Sequence, residues 1–135
     1  MSSVATKNRL KELMISDLSV GYQGDAVVHH VSFTLLEGQI GCLLGPSGCG
    51  KSTLLRAIAG FESLLSGSIS LNGEVISTVD QVLPPEQRQI GMVFQDIALF
   101  PHLSIADNIA FGLKGMDKTD VRRRVEELLT LTGLE

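Results

Sequence analysis

The stretch Gly45-Pro46-Ser47-Gly48-Cys49-Gly50-Lys51-Ser52-Thr53 fits the pattern G-x-x-x-x-G-K-[ST] and decides the fold of this chain. Before it, Gln39–Leu44 is a mostly apolar run, which is typical of a strand inside a parallel sheet that is covered on both faces. After it, Lys51–Ala59 spaces its apolar residues as a helix does, and Gly60 stands where a helix commonly ends. This pattern requires the order strand, loop, helix, and the sequence predicts that order here.

The residue types of this stretch suit the binding of a polyphosphate. Glycines let the backbone approach a bulky anion closely and leave a row of N–H groups pointing toward it. A helix that begins at Lys51 adds its dipole, Lys51 adds a full positive charge, and the hydroxyl of Ser52 is a suitable ligand for Mg²⁺. The alternative is a glycine-rich turn with an exposed lysine. The strand and helix on either side favour the phosphate-binding interpretation.

Composition limits the chain to a few classes of protein. Its 135 residues are the size of one domain, and 44% hydrophobic with 19% charged residues is typical of a globular chain rather than a disordered one. The net charge of -4 provides no general attraction for nucleic acid, so we expect no nucleic-acid partner. Any phosphate must therefore be held locally.

The sequence also indicates the compartment and excludes several site types. Its apolar runs are shorter than the ~18 residues of a membrane span, and Met1–Leu10 lacks the apolar core of an export signal, so we expect a reducing cytoplasm. Cys42 and Cys49 are too few for a disulfide framework or a four-cysteine zinc site. We predict Cys42 in the core. His29-His30 point to opposite faces of a strand, which excludes a shared metal ion.

Several further elements follow from local patterns. Leu13–Val20 and Val27–Leu35 alternate or group apolar residues as strands do. Within Gly67–Ile76, the dipeptide Asn72-Gly73 predicts a hairpin, since both residues readily adopt the positive φ of a two-residue turn.

The second half of the chain reads as a loop, a strand and two helices. Ser77–Gln89 is predicted as a surface loop and Ile90–Phe94 as a buried strand. Ser104 opens a helix that runs toward Leu113, and a second helix begins near Asp117 and ends at Gly133.

A family resemblance adds to this interpretation. The phosphate loop is followed by Val93-Phe94-Gln95-Asp96, by Ala98-Leu99-Phe100-Pro101-His102-Leu103 and by Asn108-Ile109-Ala110-Phe111-Gly112-Leu113. From about Leu10 onward, the chain resembles the ATPases of ABC transporters. It is similar to importer ATPases for ferric iron, polyamines, sulfate and maltose, and Leu83–Arg88 most resembles the ferric-iron group.

The resemblance implies an α/β fold of the P-loop NTPase type found in ABC proteins, with a parallel core sheet, helices and an antiparallel β subdomain. The chain would be truncated before the second half of that domain. Residues 1–95 would form part of the nucleotide-binding core with the antiparallel subdomain, and residues 96–135 the start of the α-helical subdomain. The family's Leu-Ser-Gly-Gly-Gln signature, acidic strand end and switch histidine are expected beyond Glu135.

ATP and Mg²⁺ are the cofactors that the resemblance implies. Lys51 and Gln95 would be catalytic, and Ser52 and Gln95 would contact Mg²⁺. Tyr22 would stack on adenine, although its sequence context alone also fits a turn tyrosine with no ligand. The implied ATP-binding residues are Tyr22, Gly45, Ser47, Gly48, Cys49, Gly50, Lys51, Ser52 and Thr53.

The implied function is that of an ATPase subunit that powers import, with ferric iron as the cargo. It would lie at the cytoplasmic face of the inner membrane, paired with a second copy, with permease subunits and indirectly with an extracytoplasmic substrate-binding protein. Phe100, Pro101 and His102 would face the permease. By itself the chain is expected to bind ATP weakly and not to hydrolyse it. The alternatives are an importer ATPase for a polyamine, sulfate or a maltose-type sugar, a soluble P-loop GTPase or kinase, and a non-catalytic nucleotide-binding module.

Overall fold

The computed structural model of the chain describes residues 11–135, so the predictions for Met1–Leu10 lie outside the described residues. Two compact units are distinguished, one up to Met92 and one from Val93 to Glu135. The division into a nucleotide-binding core over 1–95 and a helical subdomain over 96–135 stays a prediction.

The first unit is built on an antiparallel sheet whose strands follow the order β2-β1-β3-β4. These strands are β1 Glu12–Tyr22, β2 Asp25–Leu36, β3 Leu64–Leu71 and β4 Glu74–Ser77. The predicted hairpin is confirmed, since Asn72 and Gly73 connect β3 and β4 with φ of 52° and 82°. The first two predicted strands are also confirmed, and each is longer than its sequence pattern indicated.

Helix α1, Lys51–Ala59, packs against this sheet and ends at Gly60 with φ of 99°, as predicted. Of the apolar residues that keep helical spacing, Leu54 and Ile58 are buried and Leu55 is 48% exposed, while Ala57 is fully buried. The core cluster comprises Ile15, Leu18, Val20, Val28, Leu54, Ala57, Ile58, Leu64, Ile69 and Ile76.

Two predicted strands are wrong. Neither Gln39–Leu44 nor Ile90–Phe94 forms a strand, and Ile40 and Val93 are 96% and 97% exposed. Every strand pairing within residues 11–135 is antiparallel, so the predicted parallel sheet is not formed there. A strand needs a neighbour that pairs with its N–H and C=O groups, and a parallel neighbour requires a long crossover connection. Cys42 is exposed for the same reason, and its prediction as a core residue is wrong.

The segment Ser77–Gln89 is more than the surface loop that the sequence predicts. It contains a bridge between Ser77 and Val82 and a 3₁₀ helix at Pro85–Gln87, and it buries Arg88 to 2% exposure. The guanidinium of Arg88 donates to carbonyl oxygens of Ala57, Ile58, Ile76 and Leu83 and to the hydroxyl of Ser77. Desolvation lowers the pKa of Arg88, but an arginine remains charged in proteins. Arg88 therefore joins the end of α1 to β4 and to its own loop.

The second unit contains α2 Ile105–Ala110 and α3 Lys118–Thr132. Ser104 caps α2 by accepting a hydrogen bond from the N–H of Asp107 at 3.1 Å, as predicted, but α2 ends at Ala110 rather than near Leu113. Gly133 ends α3 with φ of 71°, also as predicted. Across residues 11–135, no helix combines the length and the apolar character needed to cross a bilayer.

Candidate functional site

The predicted phosphate loop is a compact turn that lies directly on β2. The N–H of Cys49 donates to the carbonyl of Pro46 at 3.3 Å, and Gly48 and Gly50 have φ of 81° and 94°. A Cβ atom at Gly50 would lie 3.0 Å from the carbonyl oxygen of Val27. Glycine is thus required at position 50 both by the backbone conformation and by the close approach to the strand.

The start of α1 presents backbone donors to this loop. The first hydrogen bond of the helix runs from the N–H of Leu54 to the carbonyl of Gly50 at 2.9 Å. The N–H groups of Lys51, Ser52 and Thr53 precede it and have no acceptor among residues 11–135. Gly50 provides no capping side chain, and the first turn contains no acidic residue. The start of a helix that has free N–H donors and no carboxylate in its first turn is suited to binding an anion.

Lys51 places its positive charge on the loop itself. Its Nζ donates to the carbonyl oxygens of Gly45 and Pro46, the latter at 2.9 Å, and lies 3.6 Å from Sγ of Cys49. The ammonium group therefore lies with the loop at the positive end of the α1 dipole. Lysine and helix start act on the same small region, which is the arrangement that the sequence pattern predicts for phosphate oxygens.

The two hydroxyl residues that follow Lys51 have different environments. Ser52 is exposed, and its hydroxyl has no hydrogen-bond partner within residues 11–135, whereas Thr53 is buried at 9% exposure. Ser52 is thus the hydroxyl that a Mg²⁺ ion can reach, and Thr53 offers its backbone N–H. Over the same described part of the chain, no group of three or more His, Cys, Asp or Glu side chains could hold a metal alone. Mg²⁺ would depend on nucleotide phosphates as well, which is how Mg²⁺ is usually bound.

Two other possible metal ligands from the sequence do not converge. His29 and His30 are both exposed, and Nδ1 of His30 lies 2.9 Å from a carboxylate oxygen of Asp17. This contact joins two neighbouring strands at an irregular part of their pairing. The histidines therefore contribute to the surface of the sheet.

Tyr22 lies at the end of β1, just before the turn into β2, and its side chain is not confined to that turn. It is 50% exposed, and its hydroxyl donates to Oε1 of Glu62 at 3.1 Å. Glu62 follows α1 and also accepts a hydrogen bond from Nε of Arg56 at 3.0 Å. Forty positions separate Tyr22 from Glu62, and no local pattern predicts this pair. Sequence reasoning therefore missed Glu62.

Gln95 lies in an irregular, exposed segment at the beginning of the second unit. The buried strand that was expected to lead into it is absent, since Val93 is exposed. Its contact with Mg²⁺ or with water stays a prediction.

The loop that contains Phe100, Pro101 and His102 is exposed, and Asn108 makes several hydrogen bonds to its backbone. The side-chain amide of Asn108 accepts a hydrogen bond from the N–H of Phe100 at 2.9 Å. Its nitrogen donates to three carbonyl oxygens, those of Phe100, Leu103 and Ser104. Asn108 therefore determines the loop's shape, a role that its helical position did not predict.

Comparison with known proteins agrees with this geometry. The chain matches the ABC transporter family over residues 28–135. It is 46% identical over 133 residues to the putrescine transport ATP-binding protein PotG of Escherichia coli K12, covering 96% of this chain and 34% of PotG. It is 48% identical over 122 residues to the Fe(3+) ions import ATP-binding protein FbpC 2 of Pectobacterium atrosepticum, covering 90% of this chain and 35% of FbpC 2.

A solved structure gives the same result. A bacterial Atm1-family ABC exporter with ATP bound superposes with a TM-score of 0.71 at 28% identity, covering 87% of this chain and 20% of the exporter chain. The chain spans about a third of the length of these two relatives, 34% of PotG and 35% of FbpC 2. The match over 108 consecutive residues, 28–135, places this chain in the ABC transporter family.

Proposed function

We propose that this chain is the ATP-binding part of an ABC importer ATPase and that Gly45–Thr53 holds the phosphates of ATP. One observation carries the proposal: the three free N–H groups at the start of α1 and the ammonium of Lys51 lie at the same loop and can bind one anion. The names of two relatives, both transport or import ATP-binding proteins, support the same function.

The residues of this site have separate roles in the proposed mechanism. ATP supplies the phosphoanhydride bond whose hydrolysis powers transport. Lys51 exchanges two neutral carbonyl partners for phosphate oxygens, and such charge-assisted hydrogen bonds are the stronger kind. The loop amides stabilise negative charge as it develops, Ser52 offers its hydroxyl to Mg²⁺, and Tyr22 offers the face of its ring to adenine. The family resemblance assigns Gln95 a contact with Mg²⁺ or the attacking water, and this role stays a prediction.

The proposed partners are permease subunits in the cytoplasmic membrane and a second copy of the ATPase, with a substrate-binding protein acting indirectly. The exposed loop around Phe100 supports a permease contact, because Leu99 and Ile105 are also exposed and the clamp of Asn108 holds the loop in shape. The protein would then lie peripherally at the cytoplasmic face of the membrane.

Ferric iron is the proposed cargo. The resemblance of Leu83–Arg88 to the ferric-iron group and the identity of 48% to FbpC 2 support it. The identity of 46% to PotG favours a polyamine as the second candidate. Uptake of labelled ferric iron and of labelled putrescine, measured in cells with and without the gene, distinguishes the two. Loss of iron uptake alone is the expected result.

The test of ATP binding uses Lys51→Ala. Direct titration of the chain with Mg-ATP should show that this variant binds at least about 10-fold more weakly, since a charge-assisted contact contributes about 1.5–3 kcal/mol. Lys114→Ala is the matched control, because Lys114 has the same charge but lies over the ring of Phe111 in the second unit. Equal affinities of the chain and of Lys51→Ala for Mg-ATP would contradict the proposal.

Two further measurements separate the alternatives. Tighter binding of GTP than of ATP would favour the soluble GTPase, and we expect no such preference, because stacking on Tyr22 does not require a guanine. The chain by itself is expected to bind ATP without steady-state hydrolysis. Turnover that disappears in Lys51→Ala would show that expectation to be wrong.

A further inference from the structure

One carboxylate connects the two halves of the proposed nucleotide site. Oε1 of Glu62 accepts a hydrogen bond from the hydroxyl of Tyr22 at 3.1 Å and another from Nε of Arg56 at 3.0 Å. Arg56 lies on α1, the helix that begins with Lys51. The side chain of Glu62 is 15% exposed, so this carboxylate is largely sheltered from water, whereas the side chain of Arg56 is 43% exposed.

We propose that Glu62 is a positioning residue that fixes the ring of Tyr22 relative to the phosphate loop and so raises the affinity for adenine nucleotides. The inference rests on the proposed function and adds a residue to it. Neither the phosphate-loop pattern nor the resemblance of Tyr22 to an adenine-stacking residue assigns a role to Glu62.

The hydrogen bond to Glu62 limits the freedom of the Tyr22 ring. Tyr22 is half exposed at the end of a hairpin, where its two side-chain torsions would otherwise sample several rotamers. A hydrogen bond at the far tip of the ring restrains both torsions. Arg56 in turn restrains the carboxylate, and its guanidinium lies 5.9 Å from the centroid of the Phe61 ring. The stacking surface is thus ordered before a ligand arrives, which reduces the entropy cost of binding.

Helix α1 and strand β2 both lead from the phosphate loop toward the Tyr22–Glu62–Arg56 contacts. From Lys51 to Arg56, α1 rises about 7.5 Å at 1.5 Å per residue. Gly50 contacts β2 at Val27, and from there to Asp25, the partner of Tyr22 in the sheet, the strand advances about 7 Å. The strand path ends at the residue that pairs with Tyr22, and the helix path ends at the residue that contacts Glu62. The Tyr22–Glu62–Arg56 connection therefore links the ring of Tyr22 to the helix that begins at the phosphate loop.

The test compares two ligands, Mg-ATP and Mg-tripolyphosphate, because only ATP carries a base. Glu62→Ala should weaken ATP binding about 3- to 10-fold, the effect of releasing one ordered side chain, and leave tripolyphosphate binding within about twofold. Glu62→Gln keeps an acceptor oxygen and should stay within about twofold for both ligands. Glu86→Ala removes the same charge from an exposed position outside the site and is the matched control.

A second variant guards against misfolding. Tyr22→Phe removes only the hydroxyl and should reproduce the selective loss of ATP affinity. The double variant Tyr22→Phe/Glu62→Ala should be no weaker than Glu62→Ala alone, since both changes remove one interaction. The chain has one tyrosine and no tryptophan, so quenching of tyrosine emission by ATP reports on Tyr22 alone in the unchanged chain and in Glu62→Ala, and the two variants without Tyr22 are measured by direct titration.

The outcomes are distinguishable. Equal losses for ATP and tripolyphosphate, additive losses in the double variant, or unchanged ATP affinity in Glu62→Ala and Tyr22→Phe would each overturn the positioning role. Affinity for ATP that depends on Lys51 but not on Glu62 would overturn this inference and leave the proposed function in place. If Lys51→Ala changes the affinity for neither ATP nor tripolyphosphate, both this inference and the proposed function are overturned.

Discussion

Strand β3 and the run Gln39–Leu44 are both rich in apolar residues, yet they differ in burial and pairing. Ile69 of β3 is fully buried, whereas Ile40 is 96% exposed. Strand β3 pairs with β1 on one side and, through a two-residue turn, with β4 on the other. Antiparallel neighbours can be joined by short connections, but a parallel strand needs a crossover of a dozen or more residues. Apolar content is therefore insufficient for burial unless the backbone also has a partner.

The largest expected effect comes from the arginine that ties the buried layer together. Arg88→Met should lower the free energy of unfolding by about 3–5 kcal/mol, because it leaves several buried carbonyl oxygens without a donor. Urea unfolding of the chain measures the change. Arg122→Met, at an exposed position on α3, is the control and should stay within about 0.5 kcal/mol. A loss below about 1 kcal/mol in Arg88→Met would show that water replaces the guanidinium.

The next prediction tests the comparison directly with one substitution at two sites. Ile69→Ala should destabilise the chain by about 2–5 kcal/mol, because it opens a cavity in the core. Ile40→Ala should change the free energy of unfolding by less than about 0.5 kcal/mol, since its side chain is already in water. Similar losses at both positions, again by urea unfolding, would mean that Ile40 is buried in solution.

A smaller effect is expected from Gly60, the residue that ends α1. In Gly60→Ala, the added Cβ would lie 2.6 Å from Nε of Arg88, and φ is +99°. We expect a loss of about 2–3 kcal/mol from strain and displacement of the arginine. Gly24→Ala is matched, since φ is +83° with nothing within 4 Å, and should lose only about 1 kcal/mol. Equal decreases of the unfolding temperature in the two variants would show that a Cβ atom at position 60 does not displace Arg88.

Substitution within the exposed run Gln39–Leu44 is expected to have the smallest effect on stability and a separate effect on self-association. Ile40→Lys should leave the unfolding midpoint almost unchanged and raise the monomer fraction in sedimentation velocity, because exposed apolar segments promote self-association. Leu131→Lys, 80% exposed on α3, is the control with the same change in charge. If both variants raise the monomer fraction equally, net charge rather than this run governs association.

Local signals predicted the elements that short-range chemistry controls. The phosphate loop, α1 with Gly60, the Asn72-Gly73 turn and the cap at Ser104 each depend on residues within a few positions of one another. Turn conformations and helix ends are determined by φ preferences and neighbouring hydrogen-bond groups. These elements were predicted for that reason.

Long-range contacts were not predictable in this way. Glu62 meets Tyr22 across forty positions, and Arg88 reaches the carbonyl of Ala57 across thirty-one. A single glutamate or arginine in a sequence is ordinarily read as solvated, and its partner is known only once the chain is folded. The two expected parallel strands failed for a related reason, since a strand's existence depends on a neighbour that no local pattern specifies.

The sequence by itself determined the glycine-rich turn before α1, the helix that follows it and the hairpin, because close-range sterics and hydrogen bonding specify them. It also carried the resemblance that pointed to the ABC transporter family. Only the tertiary structure decided that Tyr22 is tied to α1 through Glu62, that Arg88 is buried, and that Gln39–Leu44 remains exposed. Burial and pairing depend on which distant groups meet, and that is a property of the folded chain as a whole.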